Sequence, residues 1–307
     1  AWRLDDRLKP MMPRPDGRMP APRVTVTRHV SDLGRWELAK AAPAESLRPF
    51  AREYVGWSEE VPAPLCRREL PTEEAPLVIN FGGAFRLFAP GESRRAVALG
   101  SFITGAYDTY QLVESAGATS GVQVNFTLLG IRLLVGRPIE DMTNGAFAPE
   151  DIFGTFARQL TERLYEGRSW EARFDWLDRA LTDRLRNSRE VPAAVRCAWQ
   201  RLIASSGRAS ISSIVREVGW SQRHFIARFR HEIGVSPKVF ARMLRFGRVV
   251  RDLRAGRAGD LADISLESGY CDQSHLNRDA REFAGVTPGE LRKSLLPDGG
   301  GFSSTIA

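Results

Sequence analysis

Residues 214–237 read Ile214-x4-Gly219-Trp220, then His224-Phe225, then Gly234-Val235-Ser236-Pro237. Residues 264–288 repeat the phrase as Ile264-x4-Gly269-Tyr270, His275-Leu276, Gly285-Val286-Thr287-Pro288. The offset is 50 residues up to the Gly-aromatic pair and 51 from the histidine onward, so the second copy carries one inserted residue. An apolar helix, a Gly-aromatic turn and a second helix, written twice, is the pattern of two helix-turn-helix units. It predicts a helical domain that meets a duplex at two points.

Working outward, Pro192 suits the first position of a helix whose apolar face is Val195, Trp199, Leu202 and Ile203. Ser210 and Ser221 stand where the helices on either side of Gly219 need N-caps. Asp272 takes that place in the second unit, and Asp260 or Asp263 opens the helix before it. Phe225, Phe229 and Ile233 recur at i, i+4, i+8 and face inward, which turns Gln222, Arg223, Ile226, Ala227 and Arg230 outward. In the second unit Leu276 and Phe283 face inward and Gln273, Ser274, His275, Asn277 and Arg278 lie toward the groove-facing end. Between the units, Lys238, Arg242, Arg245, Arg248, Arg251 and Arg254 form a basic stripe along one long helix, a set of candidate phosphate contacts. His224 and His275 occupy equivalent places, which also suits two packing histidines.

Charge follows the repeat. Residues 193–296 hold 18 Lys+Arg against 10 Asp+Glu, while the rest of the chain holds 26 against 27, within a net charge of +7. The positive excess therefore sits with the helical units, as a phosphate-binding domain requires. Only four of the 44 basic residues are lysines, a bias that base composition alone can produce, but such a bias acts on both halves equally.

The phrases Gly-Tyr-x-Asp-x-Ser-His-Leu-x-Arg and Gly-Val-Thr-Pro-x-x-Leu-Arg, with the first-unit motifs, resemble the DNA-binding domain of AraC/XylS-type bacterial transcription regulators over residues 193–296. The resemblance implies base reading by Arg223, Ile226 and Ala227 in the first unit, and by Gln273, Ser274, His275, Asn277 and Arg278 in the second; the basic stripe, read on its own, offers Arg245 and Arg248 to phosphates. It also implies a double-stranded operator, RNA polymerase as a partner, an activator role, and a cupin-like sensor barrel with helices that pair two subunits. Ala280 and Asp279 depart from the family's pattern, standing where it usually has an aromatic core residue and a small or polar one, which implies loose packing of the second recognition helix.

The N-terminal half reads independently as strand-rich. Leu77–Phe81, Phe85–Phe88 and the alternating Val122–Thr127 are strands, and Pro- and Gly-rich punctuation from 23 to 148 suggests a small barrel or sandwich. Two helices follow within 149–190, one with Phe153, Phe156, Leu160 and Leu164 inward, the other with Trp170, Phe174, Leu177, Leu181 and Leu185. Their aromatic faces predict a homodimer. The expected fold is thus α+β: a β-barrel or sandwich sensor (cupin-like, by the resemblance) with trailing helices, then an all-α double helix-turn-helix domain. Residues 1–22 read as a disordered arm rather than a secretory signal, and 297–307 as a flexible tail.

Catalytic signatures do not stand out. Residues 1–192 hold one histidine, His29, and no GxSxG, Walker loop, HExxH or paired carboxylates, so neither a metal nor another cofactor is expected and the chain reads as a non-enzyme. Tyr107, Asp108, Tyr110 and Gln123, with Glu114 and Asn125 nearby, are candidates to line a pocket for an unknown small-molecule effector. Cys66, Cys197 and Cys271 are odd in number and far apart, which fits a reducing cytoplasm, and no apolar run reaches membrane-spanning length. None of the cysteines has the Pro-Cys-His setting that a DNA-repair methyltransferase with a similar DNA-binding module would need. A ligand-independent architectural DNA binder is the other alternative.

Overall fold

Two prolines shape the N-terminal half. The computed structural model describes residues 23–91, 95–256 and 260–305, so the expected arm at 1–22 lies outside the described residues. Strands β1 (Val24–Ser31) and β2 (Gly34–Ala41) form a hairpin, and β2 pairs with β3 (Ala51–Glu69), which is 19 residues long. Pro62 and Pro64 interrupt β3, and its pairing register slips between Val61 and Leu65. Neither proline can donate to the ladder, so the strand bends there and its two halves acquire different neighbours. Strands β4 (Glu74–Asn80), β5 (Phe85–Phe88), β6 (Ala96–Leu99) and β7 (Phe102–Thr104) follow, then β8 (Gln111–Thr127), which pairs antiparallel along both halves of β3. The far edge of β8 is shared between β4 and the β5–β6 hairpin, and β9 (Ala146–Phe147) closes on β7. Among the described residues these nine strands form one antiparallel sheet in the order β1-β2-β3-β8-β4-β7-β9, with β5 and β6 alongside.

Helix α1 (Leu128–Val135) continues directly from β8, started by the Thr127 hydroxyl on the Gly130 amide. Gly130 is required there, because a Cβ would lie 2.0 Å from the Phe50 carbonyl oxygen. The single helix expected from Pro149 breaks at Gly154 into α2 (Pro149–Phe153) and α3 (Thr155–Glu166), since φ of +57° with ψ of −125° cannot continue a helix. Helix α4 (Trp170–Arg186) lays Phe174, Leu177 and Leu181, all fully buried, beside Leu160 and Leu164 of α3 in the core that also holds Tyr54 and Phe126 of the sheet. Trp170 closes over Gly56. The aromatic faces expected to pair subunits are thus spent within the chain.

The C-terminal half is helical throughout: α5 (Ala193–Ala204), α6 (Ile211–Val218), α7 (Gln222–Ile233), α8 (Pro237–Arg254), α9 (Leu261–Glu267), α10 (Gln273–Ala284) and α11 (Pro288–Lys293). Ser210, Ser221 and Asp272 cap their helices as the sequence predicts, and Asp260 caps α9. One continuous apolar core runs from the sheet through α8, where Phe240 and Phe246 are fully buried, to Phe283 of α10. The last segment differs from its expectation as a flexible tail. Leu295 bridges back to Phe302 across the Gly299-Gly300-Gly301 reversal, Phe302 is fully buried, and Ser303 pairs with Arg67 on the outer half of β3. Burial of Phe302 and the backbone hydrogen bonds on either side of it together offset the conformational freedom of the three glycines.

Candidate nucleic-acid interface

Each unit is built by a turn that local chemistry fixes. Gly219 and Gly269 adopt positive φ (+70° and +87°), which L side chains resist, and the aromatic that follows packs across the next helix. The Trp220 ring meets His224 edge-on at 4.6 Å, and the Tyr270 ring meets His275 in the same manner at 5.1 Å. The equivalent histidines therefore share a packing role, which accounts for both without a base contact. The Ser221 hydroxyl accepts from the His224 amide at 3.3 Å, and the Asp272 carboxylate accepts from the His275 amide at 2.7 Å. Those caps point the first turns of α7 and α10 outward.

On α7, Gln222, Arg223, Ala227 and Arg230 are exposed and Ile226 is half-buried; together with Glu140 they line an open groove of about 700 Å³. On α10, Gln273, Ser274 and Arg278 are exposed, with His275 and Asn277 half-buried. Every base-reading candidate lies on the outer face of its helix or at that face's margin. Gln and Asn match adenine, and Arg matches guanine, by bidentate hydrogen bonds in the major groove.

Ala280 is fully buried and Asp279 nearly so, and neither loosens α10 as expected. Arg242 of α8 donates to Asp279 from Nη2 at 2.7 Å and from Nε at 3.1 Å, and reaches Glu282 from Nη1 at 2.8 Å. The Glu282 and Asp279 hydrogen bonds hold the Arg242 guanidinium more firmly charged than usual, and Arg242 in turn holds the Glu282 carboxyl below the usual carboxylate range. Burial, with Asp279 adding to it, pushes the Tyr270 phenol up. A charge pair thus adds to the Phe246–Phe283 contact between α8 and α10.

The basic stripe on α8 is largely spent inside the molecule. Besides Arg242, Arg245 donates from Nη1 to the Gly207 carbonyl at 2.8 Å and lies 5.8 Å from the Tyr270 ring centre, so it braces the two units against each other instead of facing outward for a phosphate. Arg251 pairs with Glu73 at 3.1 Å, and Arg254 covers the Phe302 ring at 5.0 Å. Lys238 is exposed and Arg248 half-buried.

The four effector candidates are not brought together. Tyr107, Asp108 and Tyr110 sit in the loop between β7 and β8, which reaches the C-terminal turn of α10. Thr109 donates to the Glu282 carbonyl at 3.3 Å, and Tyr110 packs on Gly285 with the Arg68 guanidinium 4.4 Å from its ring centre. Burial pushes the Tyr107 phenol up to about 12. Gln123 stands apart on β8, donating to Asn125 at 2.6 Å and directly opposite Val78. Val78 belongs to an apolar cluster with Phe102 and Leu87, against which the half-buried Trp57, Phe85 and Leu99 pack.

The same loop region touches the equivalent turn of the first unit. Asp108 and Asn144 bond to each other twice, and Thr143 donates to the Gly234 carbonyl at 2.8 Å. Beside it, Arg132 of α1 forms a fully desolvated pair with Glu232 of α7 at 2.5 Å, and Arg228 also reaches that carboxylate at 3.0 Å. The N-terminal domain therefore holds both recognition helices at matching C-terminal turns. Arg68, Arg132 and Glu232 are absent from the sequence-derived site because their partners lie about a hundred or more residues away.

Among the described residues no group of His, Cys, Asp and Glu is placed to hold a metal, and no helix is long and apolar enough to cross a membrane. The helix-turn-helix domain family matches residues 197–294. No curated protein matches the sequence. Among solved structures, ToxT from Vibrio cholerae O395 is 12% identical, covering 75% of this chain and 96% of its own, at a TM-score of 0.45. The AraC-like transcriptional activator CuxR is 16% identical, covering 78% and 88%, at 0.33. The C-terminal domain of AraT, a response regulator from Geobacillus stearothermophilus, is 18% identical, covering 36% and 93%, also at 0.33. The repeated units, their two capped recognition helices and the match over residues 197–294 together give this chain an AraC-type helix-turn-helix DNA-binding domain.

Proposed function

We propose that the chain is a one-component regulator that reads an operator with α7 and α10 and takes a small-molecule effector in its N-terminal sheet domain. The observation that carries the DNA half is the outward placement of Gln222, Arg223, Ile226 and Ala227 on α7, and of Gln273, Ser274 and Arg278 on α10. The first set, with Ile226 and Ala227 at its centre, suits thymine methyls flanked by one guanine contact. The second, richer in hydrogen-bonding groups, suits mixed bases. Asn277 remains within reach of the groove, and Arg248 and Lys238 are the stripe residues left for phosphate.

For the effector, the support shifts from the loop 105–110 to the sheet face around Trp57, Phe85, Phe102 and Leu99, with Gln123 and Asn125 as its polar edge. Such a face suits a flat apolar molecule with one or two hydrogen-bonding groups. Tyr107, Asp108 and Tyr110 then relay occupancy rather than bind, because their loop touches the DNA-binding domain directly. Since the apolar faces of α3 and α4 are spent on the chain's own sheet, two copies are proposed to pair on the operator instead of in solution, with RNA polymerase as the further partner of a cytoplasmic activator.

Selection of bound sequences from a random duplex pool by the full chain tests the first half. The expected result is a bipartite motif whose halves lie about one helical turn apart. A featureless profile would instead favour an architectural binder. A thermal-shift screen with small aromatic compounds tests the second half, and Trp57→Ala should abolish any shift found.

A further inference from the structure

The contacts described so far between the N-terminal domain and the recognition helices lie behind the reading surface, at Gly234 and Gly285. One contact reaches in front of it. Glu140 opens a 3-10 turn of the N-terminal domain (Glu140–Met142), and its carboxylate accepts from Arg230 Nε at 3.0 Å, with His231 Nδ1 at 3.6 Å. Arg230 lies two turns along the same face as Gln222, Arg223 and Ile226, and Glu140 lines the same open groove as all of them. The groove thus carries arginines suited to a phosphate backbone together with one carboxylate that no DNA ligand would choose. That carboxylate comes from the other domain, about ninety residues away in sequence.

We propose that Glu140 is a built-in competitor for DNA phosphate: it occupies Arg230 in the free protein, and the duplex must displace it to use that guanidinium. The inference rests on α7 being a recognition helix. Arg230 sits at the trailing end of the reading face, where a recognition helix leaves the bases and meets the backbone, so its contact is with charge and not with sequence. Both domains hold the pair, so any movement of the N-terminal domain that lifts the turn at 140–142 releases one cation to DNA. Affinity is thereby coupled to domain position through a single ion pair.

Full-length wild type, Glu140→Gln, Glu140→Ala, Arg230→Gln and the Glu140→Gln/Arg230→Gln double variant are titrated by fluorescence anisotropy against a selected operator and a scrambled duplex. Glu73→Gln, which removes a carboxylate paired with Arg251 away from this groove, serves as the charge control. Melting curves confirm that each variant is folded. Both Glu140 variants should bind both duplexes about threefold to tenfold tighter at low salt, with the gain shrinking as salt rises. The gain should vanish in the Arg230→Gln background and be absent in Glu73→Gln. Unchanged affinity in folded Glu140→Gln overturns the proposal, as does an equal gain with and without Arg230. If wild type and every variant ignore both duplexes, the assignment of α7 falls, and Glu140 falls with it.

Discussion

Arg278 is the exposed arginine at the reading end of α10 and makes no hydrogen bond or ion pair among the described residues, in contrast to Arg242 and Arg245 on the neighbouring helix. A guanidinium left outward in that position is placed for a guanine edge. Arg278→Ala should relax preference at one or two base pairs and cost about 1–3 kcal/mol on the operator, with little effect on scrambled DNA. Footprinting across a set of single-base operator variants measures this, and a uniform loss over all of them would move Arg278 to the backbone. Glu74 makes a residue-scale prediction of a different kind. Burial beside Glu73 pushes its carboxyl from 4.5 up to about 7, with Glu53 adding to the rise and Arg52 and Arg251 opposing it. A carboxyl raised on folding favours the fold fully below the unfolded value near 4.5, and that contribution is lost as pH rises through 7. Glu74→Gln should therefore melt higher than wild type at pH 8, by on the order of 2 kcal/mol, and match it near pH 4.5. A constant offset across that range would show that packing, and not ionisation, separates the two proteins.

At the scale of elements, α8 separates what sequence shows from what it hides. Its length, its Ser236 cap and its apolar stripe are all local properties, and each is legible in the chain; so are the turns at Gly219 and Gly269 and the caps at Ser221 and Asp272. The destination of its arginines is not local. Arg242 finds Asp279 37 residues on, Arg245 finds the Gly207 carbonyl, and Arg251 finds Glu73 from the other domain. Read as a row, these residues look like a solvent-facing rail for phosphates, because nothing in a helical period says which side another domain will cover. The same reason hid Glu140 and scattered the effector candidates between a loop and a strand. The element-scale prediction follows from partners: Arg245 is held by the Gly207 carbonyl and the Tyr270 ring, and Arg248 has no such contact among the described residues. Arg248→Ala should lower the salt slope of DNA binding by about one unit without moving the melting temperature. Arg245→Ala should do the reverse, lowering the melting temperature and leaving the slope alone. Identical behaviour of the two variants would return the stripe to a single role.

For the whole molecule, the question is what makes one body of two differently built halves. Part of the answer is the apolar core that continues from the sheet to α10, and part is the buried Arg132–Glu232 pair, whose loss would leave Arg132 without its carboxylate while Glu232 keeps Arg228. The described residues after α11 supply a third tie. After α11 the chain reverses and lays residues 302–304 along the outer half of β3, the half that the Pro62-Pro64 bend leaves without β2 as a neighbour. The Arg68 amide donates to the Phe302 carbonyl at 2.8 Å, the Ser304 amide to the Cys66 carbonyl at 3.0 Å, and Arg67 Nε to the Gly300 carbonyl at 2.8 Å. At the far end of the reversal, Asp298 meets His29 of β1 at 2.9 Å. The segment thus covers a sheet edge that would otherwise offer unpaired amides, and it anchors the DNA-binding domain through the ring of Phe302. Phe302→Ala should cost about 3–5 kcal/mol, as a fully buried phenylalanine does elsewhere. Ending the chain after Ser294 should go further, splitting one calorimetric transition into two as sheet and helical domains lose their common strap. A truncated chain that still melts in a single transition at the wild-type temperature would mean that the core and the Arg132–Glu232 pair hold the halves together without it.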